Sequence, residues 1–193
     1  MNIKHVVVAA ALATPGSSVF AQTYVGIGLG ASHTCINTYG DSRCADDGVA
    51  GKALVGYAWP GTDFAIEGIY SHLGNFRQSW DAGKVDFKVD TLGVGGAWRP
   101  QFGPSGWGGV VRAGIEYGTV KGRYTQSGPD HSAASVFTSD EGAWQPYLGG
   151  GVTYAITPRI KLEGDLDYTR VRANGLHSNT AVASAMLGVT FGF

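Results

Sequence analysis

The chain has 193 residues, 31 of them glycine, and a formal net charge of −1 from 14 basic and 15 acidic side chains. That length fits one domain, and so balanced a charge excludes the basic footprint of a nucleic-acid protein. Charged residues make up 15% of the chain, against about 25% in ordinary soluble domains, while aromatics reach 11%; the mix favours strands that face something other than water.

In chain order, the first stretch is set apart from the fold. Lys4 gives a short basic start, Val6 to Ala13 is an unbroken apolar run, and Val19-Phe20-Ala21 offers a cleavage site. Residues 1–21 read as a signal peptide and 22–193 as the domain, with Gln22 rather than a lipidated Cys at its start. The apolar run is too short for a membrane-spanning helix, which takes about 20 residues.

Beyond Ala21 glycine recurs every few residues, each about 1 kcal/mol worse than Ala inside a helix, and the pattern that repeats is alternation with the strand period. Eight segments show it. In the first, Val25, Ile27 and Leu29 share one face and Gly26, Gly28 and Gly30 the other; because the alternation continues into no helix pattern, GIGLG is not a phosphate-binding loop. The second (49–59) sets Val49, Val55, Tyr57 and Trp59 against Lys52, and the third (63–72) sets Phe64, Ile66 and Tyr70 against Glu67. The fourth (85–99) sets Leu92, Val94 and Trp98 against Thr91 and glycines, and the fifth (107–120) sets Trp107, Ile115 and Tyr117 against Arg112 and Glu116. The sixth (143–156) opposes Trp144, Leu148 and Tyr154 to Gln145 and Tyr147. The seventh (159–171) opposes Leu162, Leu166 and Tyr168 to Lys161, Glu163, Asp165 and Asp167, and the eighth (180–193) opposes Leu187, Phe191 and Phe193 to Met186 and Thr190.

Connections alternate in length. Those at Pro60 to Thr62, Pro100 to Gly106 and Thr157-Pro158 are short; 35–48, 73–84, 121–142 and 172–179 are longer and polar. An even strand number with tight turns at one end and long loops at the other is the topology of a transmembrane barrel. A soluble carrier barrel alternates too, but with charges outside. Here Trp59, Trp98, Trp107 and Trp144, with Tyr70, Tyr117 and Tyr168, stand near the strand ends of the apolar face, as bilayer girdles do. The other face carries glycine, small polar residues and mixed charge, which suits a narrow lumen, and the chain ends on an aromatic of the apolar face, Phe193.

The first strand TYVGIGLGAS, the third FAIEGIYSHLG, the sixth YLGGGVTY and the terminal GVTFGF, in this order and spacing, resemble the OmpA-like eight-stranded outer-membrane barrel domain with its opacity-protein and surface-antigen relatives. The resemblance spans the stretch after Ala21 and does not include a peptidoglycan-binding domain, since the sequence stops at Phe193. It implies an all-β, closed antiparallel up-and-down barrel of eight strands, with short periplasmic turns and four longer extracellular loops. It also implies outer-membrane location, a monomer, an envelope or surface-recognition role, and Phe191 and Phe193 as the signal read by the barrel-assembly machinery.

The inward charges Lys52, Glu67, Arg112, Glu116, Lys161, Glu163, Asp165 and Asp167 are expected to pair as a plug, because charge buried in a packed lumen needs partners. A bridge between Lys52 and Glu67, on adjacent strands, is the sharpest expectation. Lys88, Lys121, Arg123, Arg170 and Arg172 gather at the long-loop end, at the level of lipopolysaccharide phosphates, which such side chains bind by charge-assisted hydrogen bonds. Cys35 and Cys44 read as a loop disulfide in an exported chain. His33, His72, His131 and His177 lack metal-ligand spacing, and no catalytic group, metal site or cofactor is expected. A host or other surface ligand could meet the loops. The rival readings are a narrow channel, a lipid-modifying enzyme and a periplasmic carrier; for the enzyme, adjacent His177 and Ser178 would point to opposite faces of a strand.

Overall fold

A side chain's face is fixed by its parity along a strand, and here the parity is kept long enough to build a wall. The computed structural model describes residues 23–38, 41–80, 83–126, 135–173 and 178–193; the expected signal peptide lies outside them. The strands are β1 (Thr23–Thr38), β2 (Asp41–Ala58), β3 (Phe64–Trp80), β4 (Gly83–Trp98), β5 (Trp107–Gln126), β6 (Ser135–Ala155), β7 (Ile160–Ala173) and β8 (Ser178–Gly192). They pair in chain order, every pair antiparallel, and β1 pairs with β8 from Tyr24↔Gly192 to Asn37↔Asn179, closing the barrel.

The outward face is apolar. Ile27, Leu29, Val49, Leu92, Leu166 and Leu187 are all more than 60% exposed, a surface that water would penalise at roughly 25 cal/mol per Å² and a bilayer would not. Aromatics bound this band, with Trp107 against Tyr154 at one end and Tyr117 against Trp144 at the other, ring centroids 5.1 and 5.5 Å apart. From Trp107 to Tyr117 a strand rises about 33 Å at about 3.3 Å per residue; tilted by about 40°, it spans about 25 Å, the apolar height of a transmembrane barrel.

At one end the connections are tight. Trp59 N–H donates to the Phe64 carbonyl (3.0 Å) and Thr62 N–H to that of Trp59 (3.2 Å), with Gly61 at φ +72°. The Pro100 turn carries one 3-10 turn, Gly103–Ser105.

At the other end strand pairing runs on into stretches expected to be loops. The β1–β2 ladder reaches Thr38↔Asp41, β3–β4 reaches Trp80↔Gly83, and β5–β6 reaches Gln126↔Ser135. The polar composition that suggested loops marks strands that have left the apolar band and stand in water. Inside this extension the lumen is apolar, against the small polar filling expected there: Leu73, Phe76, Val89 and Val182 are buried, with Phe87 and Val120 packed on them. Phe76 stacks on Phe87 at 5.1 Å. A bulge between His72 and Gly74 shifts the parity, so that Phe76 faces inward as Leu73 does before it; Gly74, at φ +118°, lies against Gly48, where a side chain would be strained.

Lower in the lumen, glycines make room for large rings. Tyr147 lies over Gly114 and Gly95; a Cβ on Gly114 would sit 2.6 Å from Tyr147 Cε1 and also against the Val94 carbonyl. Gly114→Val should therefore destabilise the barrel by about 1–3 kcal/mol, the usual cost of overpacking. Urea unfolding in detergent micelles, followed by tryptophan fluorescence, measures the shift; an unchanged midpoint would mean that the lumen yields.

Candidate functional site

The lower lumen is built around Arg112. It faces inward on β5 between outward Val111 and Ala113 and is fully buried. Its Nε donates to Glu67 Oε2 (2.6 Å), Nη1 to Asp165 Oδ1 (2.8 Å) and Nη2 to Glu163 Oε1. Arg99, just past β4, donates through Nη1 to Glu67 Oε1 (2.8 Å) and through Nη2 to Glu163 Oε2 (2.5 Å). Arg112, Glu67, Arg99 and Glu163 thus form a closed ring of alternating charge.

The ring has two attachments. Tyr24 donates its hydroxyl to Glu67 Oε1 (2.5 Å), and its ring lies 4.8 Å beneath the Arg99 guanidinium, a cation–π arrangement. Lys52 reaches across the lumen from β2 and donates to Asp165 Oδ2 (2.7 Å) and Asp167 Oδ2 (2.9 Å). Above the ring, buried Glu116 accepts from Gln145 Nε2 (3.1 Å) and from the Thr169 hydroxyl.

Most of the inward charges read from the sequence meet here, but the pairing differs. The expected Lys52–Glu67 bridge is absent. The β2–β3 register sets Ser71 opposite Lys52 and Gly56 opposite Glu67, four positions away, so Lys52 finds its partners across the lumen on β7, and Glu67 meets Arg112 on β5 and Arg99 at the end of β4. Glu116 meets neutral donors instead of a base, and Lys161 sits at the short-turn mouth with no ion pair among the described residues. Arg99 and Tyr24 were not anticipated. Each could have been found by parity, since Arg99 follows outward Trp98 and Tyr24 precedes outward Val25.

Each carboxylate of the ring is held by two guanidinium groups. An ion moved into a low-dielectric interior costs several kcal/mol unless paired and hydrogen-bonded; here the partners converge from β3, β5, β7 and the end of β4. Such a lattice suits a fixed plug better than proton transfer. No cluster among the described residues could hold a metal ion.

The long-loop rim is tied more closely than its composition suggests. On the outward face Asp90 accepts from Lys88 Nζ (3.1 Å), His72 Nδ1 (2.8 Å) and the Tyr70 hydroxyl (3.2 Å). Lys121 is exposed and stands opposite Lys88 on the next strand; exposed Arg170 donates through Nε to the Tyr168 hydroxyl (3.1 Å). The side chains of Arg123 and Arg172 lie outside the described residues, as do His131 and His177. Cys35 and Cys44 are direct cross-strand partners in the β1–β2 register, but their side chains too lie outside the described set. Phe191 and Phe193 are exposed on the outward face, and Phe193 N–H donates to the Thr23 carbonyl (2.9 Å).

The family model described as the outer membrane protein beta-barrel domain matches residues 6–192. Among solved structures, Neisserial surface protein A is similar at 19% identity and a TM-score of 0.61, covering 89% of this chain and 97% of its own. OprG from Pseudomonas aeruginosa is similar at 13% identity and 0.57, covering 91% and 97%. The attachment invasion locus protein Ail of Yersinia pestis is similar at 14% identity and 0.56, covering 89% and 99%. No curated protein matches the chain.

Removing Arg112 alone would leave three buried carboxylates short of a partner, so Arg112→Met should cost about 3–5 kcal/mol. The check is the loss of heat-modifiable gel mobility, in which a folded barrel migrates differently unboiled, at a lower urea concentration than for the unaltered chain.

Proposed function

Because the chain belongs to the outer membrane protein β-barrel domain family, we propose that it stands in the outer membrane as a sealed, monomeric barrel that supports the envelope and presents its long-loop end for attachment or recognition. The observation that carries this reading is the fully buried Arg112 with three carboxylates around it in the lumen. Eight strands leave an interior just wide enough for side chains to fill, and here ion pairs and the Phe76 cluster fill it in series. Export by the segment 1–21, and delivery to the assembly machinery through Phe191 and Phe193, belong to the same proposal. The likeness in fold to Ail makes attachment the first surface activity to test, with a host or other surface ligand as partner.

The outward basic residues support a second contact, with the phosphates of lipopolysaccharide. Lys88, Lys121 and Arg170 are exposed beyond the aromatics Tyr117 and Tyr168 of the long-loop end, and the proposal extends to Arg123 and Arg172, whose side chains lie outside the described residues. Outer-membrane lipid surrounds the rest of the apolar band. A narrow channel is the rival reading, and the filled lumen opposes it.

Two measurements test the proposal. Planar-bilayer recordings of the purified chain should show no steady conductance, and a stable large conductance would overturn the sealed barrel. Replacing Lys88 and Lys121 together with Glu should lower the lipopolysaccharide that copurifies with the protein several-fold while heat-modifiable mobility stays intact; unchanged copurification would remove the rim contact.

A further inference from the structure

A cavity of about 440 Å³ opens at the short-turn mouth, below the ion ring. Its floor is Tyr24 and Arg99, and its sides come from the turns: Trp59 and Asp63 from one, Arg159 from another, with Lys161 just inside. Arg99 is already bonded to Glu67 and Glu163. Lys161 and Arg159 have no ion pair among the described residues. Lys161 is half-buried, at a depth where an ammonium ordinarily finds a carboxylate. The wall therefore carries three cations and one carboxylate, Asp63, beside the apolar surfaces of Trp59 and Pro158.

We propose that this vestibule is a binding site for a phosphate-bearing group, held by Lys161 and Arg159 over the guanidinium of Arg99, with any apolar part of the ligand against Trp59. Volume and lining fit, since small-molecule sites typically run about 300–1,000 Å³ and combine apolar walls with a few convergent polar groups. A guanidinium and an ammonium together match a phosphate's several acceptor oxygens. Binding gives Lys161 a direct ion-pair partner in addition to the more distant carboxylates of Glu163 and Asp63, and the site lies outside the ring, so it fills without disturbing the seal. Two sources share this chemistry in the compartment the short turns face: a soluble phosphate ester and the headgroup of an inner-leaflet phospholipid.

The test is a titration of the full ¹⁵N-labelled chain with glycerol 3-phosphate, against sodium chloride at matched ionic strength, read by NMR. In lipid-free detergent micelles, saturable shifts should appear at the Arg159 and Lys161 amides, the Trp59 indole and the Arg99 side chain. Arg159→Gln should weaken saturation at least threefold; Arg159 is exposed on its turn, so this variant keeps the barrel intact. Combined with Lys161→Gln, the loss should be at least tenfold, with folding checked by gel mobility. Repeating the titration in phosphatidylglycerol nanodiscs separates the sources. Saturation in both media identifies a soluble ester, and saturation in micelles alone identifies a headgroup that already fills the mouth. Shifts in micelles that grow linearly with salt, or that saturate equally in the Arg159→Gln chain, overturn the site.

Discussion

A guanidinium with no access to water, Arg112, meets three carboxylates, and the barrel is organised so that it can. In a low-dielectric interior such a group is tolerable only when every donor is used. Nε and both Nη atoms are bonded to residues on β3 and β7, far apart in sequence and on different sides of β5 in the wall. That geometry requires closure, because only a closed sheet brings β3, β5 and β7 to face one axis. It also requires parity to hold on each strand, since a slip of one residue would turn Glu67 or Asp165 out of the lumen.

Closure in turn explains the division between the faces. Outside, apolarity is enough, and Leu, Ile, Val and aromatic side chains alternate with little need of shape. Inside, the contents must match one another in volume as well as charge, and glycine is the means: Gly114 and Gly95 clear the space that Tyr147 fills, and Gly48 with Gly74 clears space beside Phe76. The lumen is thereby layered, with charge in the lower part and apolar rings above. An ion would have to cross both layers.

Much of this was legible in the sequence because parity is a local property. Eight alternating runs, their order, the outward aromatics and nearly all inward charges follow from counting by two. What parity cannot give is who meets whom. Lys52 and Glu67 are neighbours on adjacent strands and inward on both, yet their register offsets them by four positions, and register depends on turn geometry and shear around the whole barrel. Arg99 closes the fourth alternating run beside the turn at Pro100, and its parity alone does not say that it reaches Glu67 and Glu163. The reach of the strands past Ser32 and His72 was hidden by polar composition, which reports leaving the apolar band, not the end of pairing. Asp90, which gathers His72, Lys88 and Tyr70, lies inside the fourth alternating run, and alternation alone does not show which side chains converge on it.

The seam between β1 and β8 carries a consequence for how the molecule is made. The barrel's first strand in chain order has as its partner the barrel's last, from Tyr24↔Gly192 upward. In hydrocarbon an unpaired strand edge leaves backbone donors and acceptors without water, at several kcal/mol each, so a half-finished barrel cannot rest in the bilayer. Non-local pairing of this kind is also intrinsically slow. The nascent chain must therefore be sheltered until β8 arrives, and insertion becomes a single late event timed by the last strand of the barrel rather than a gradual one.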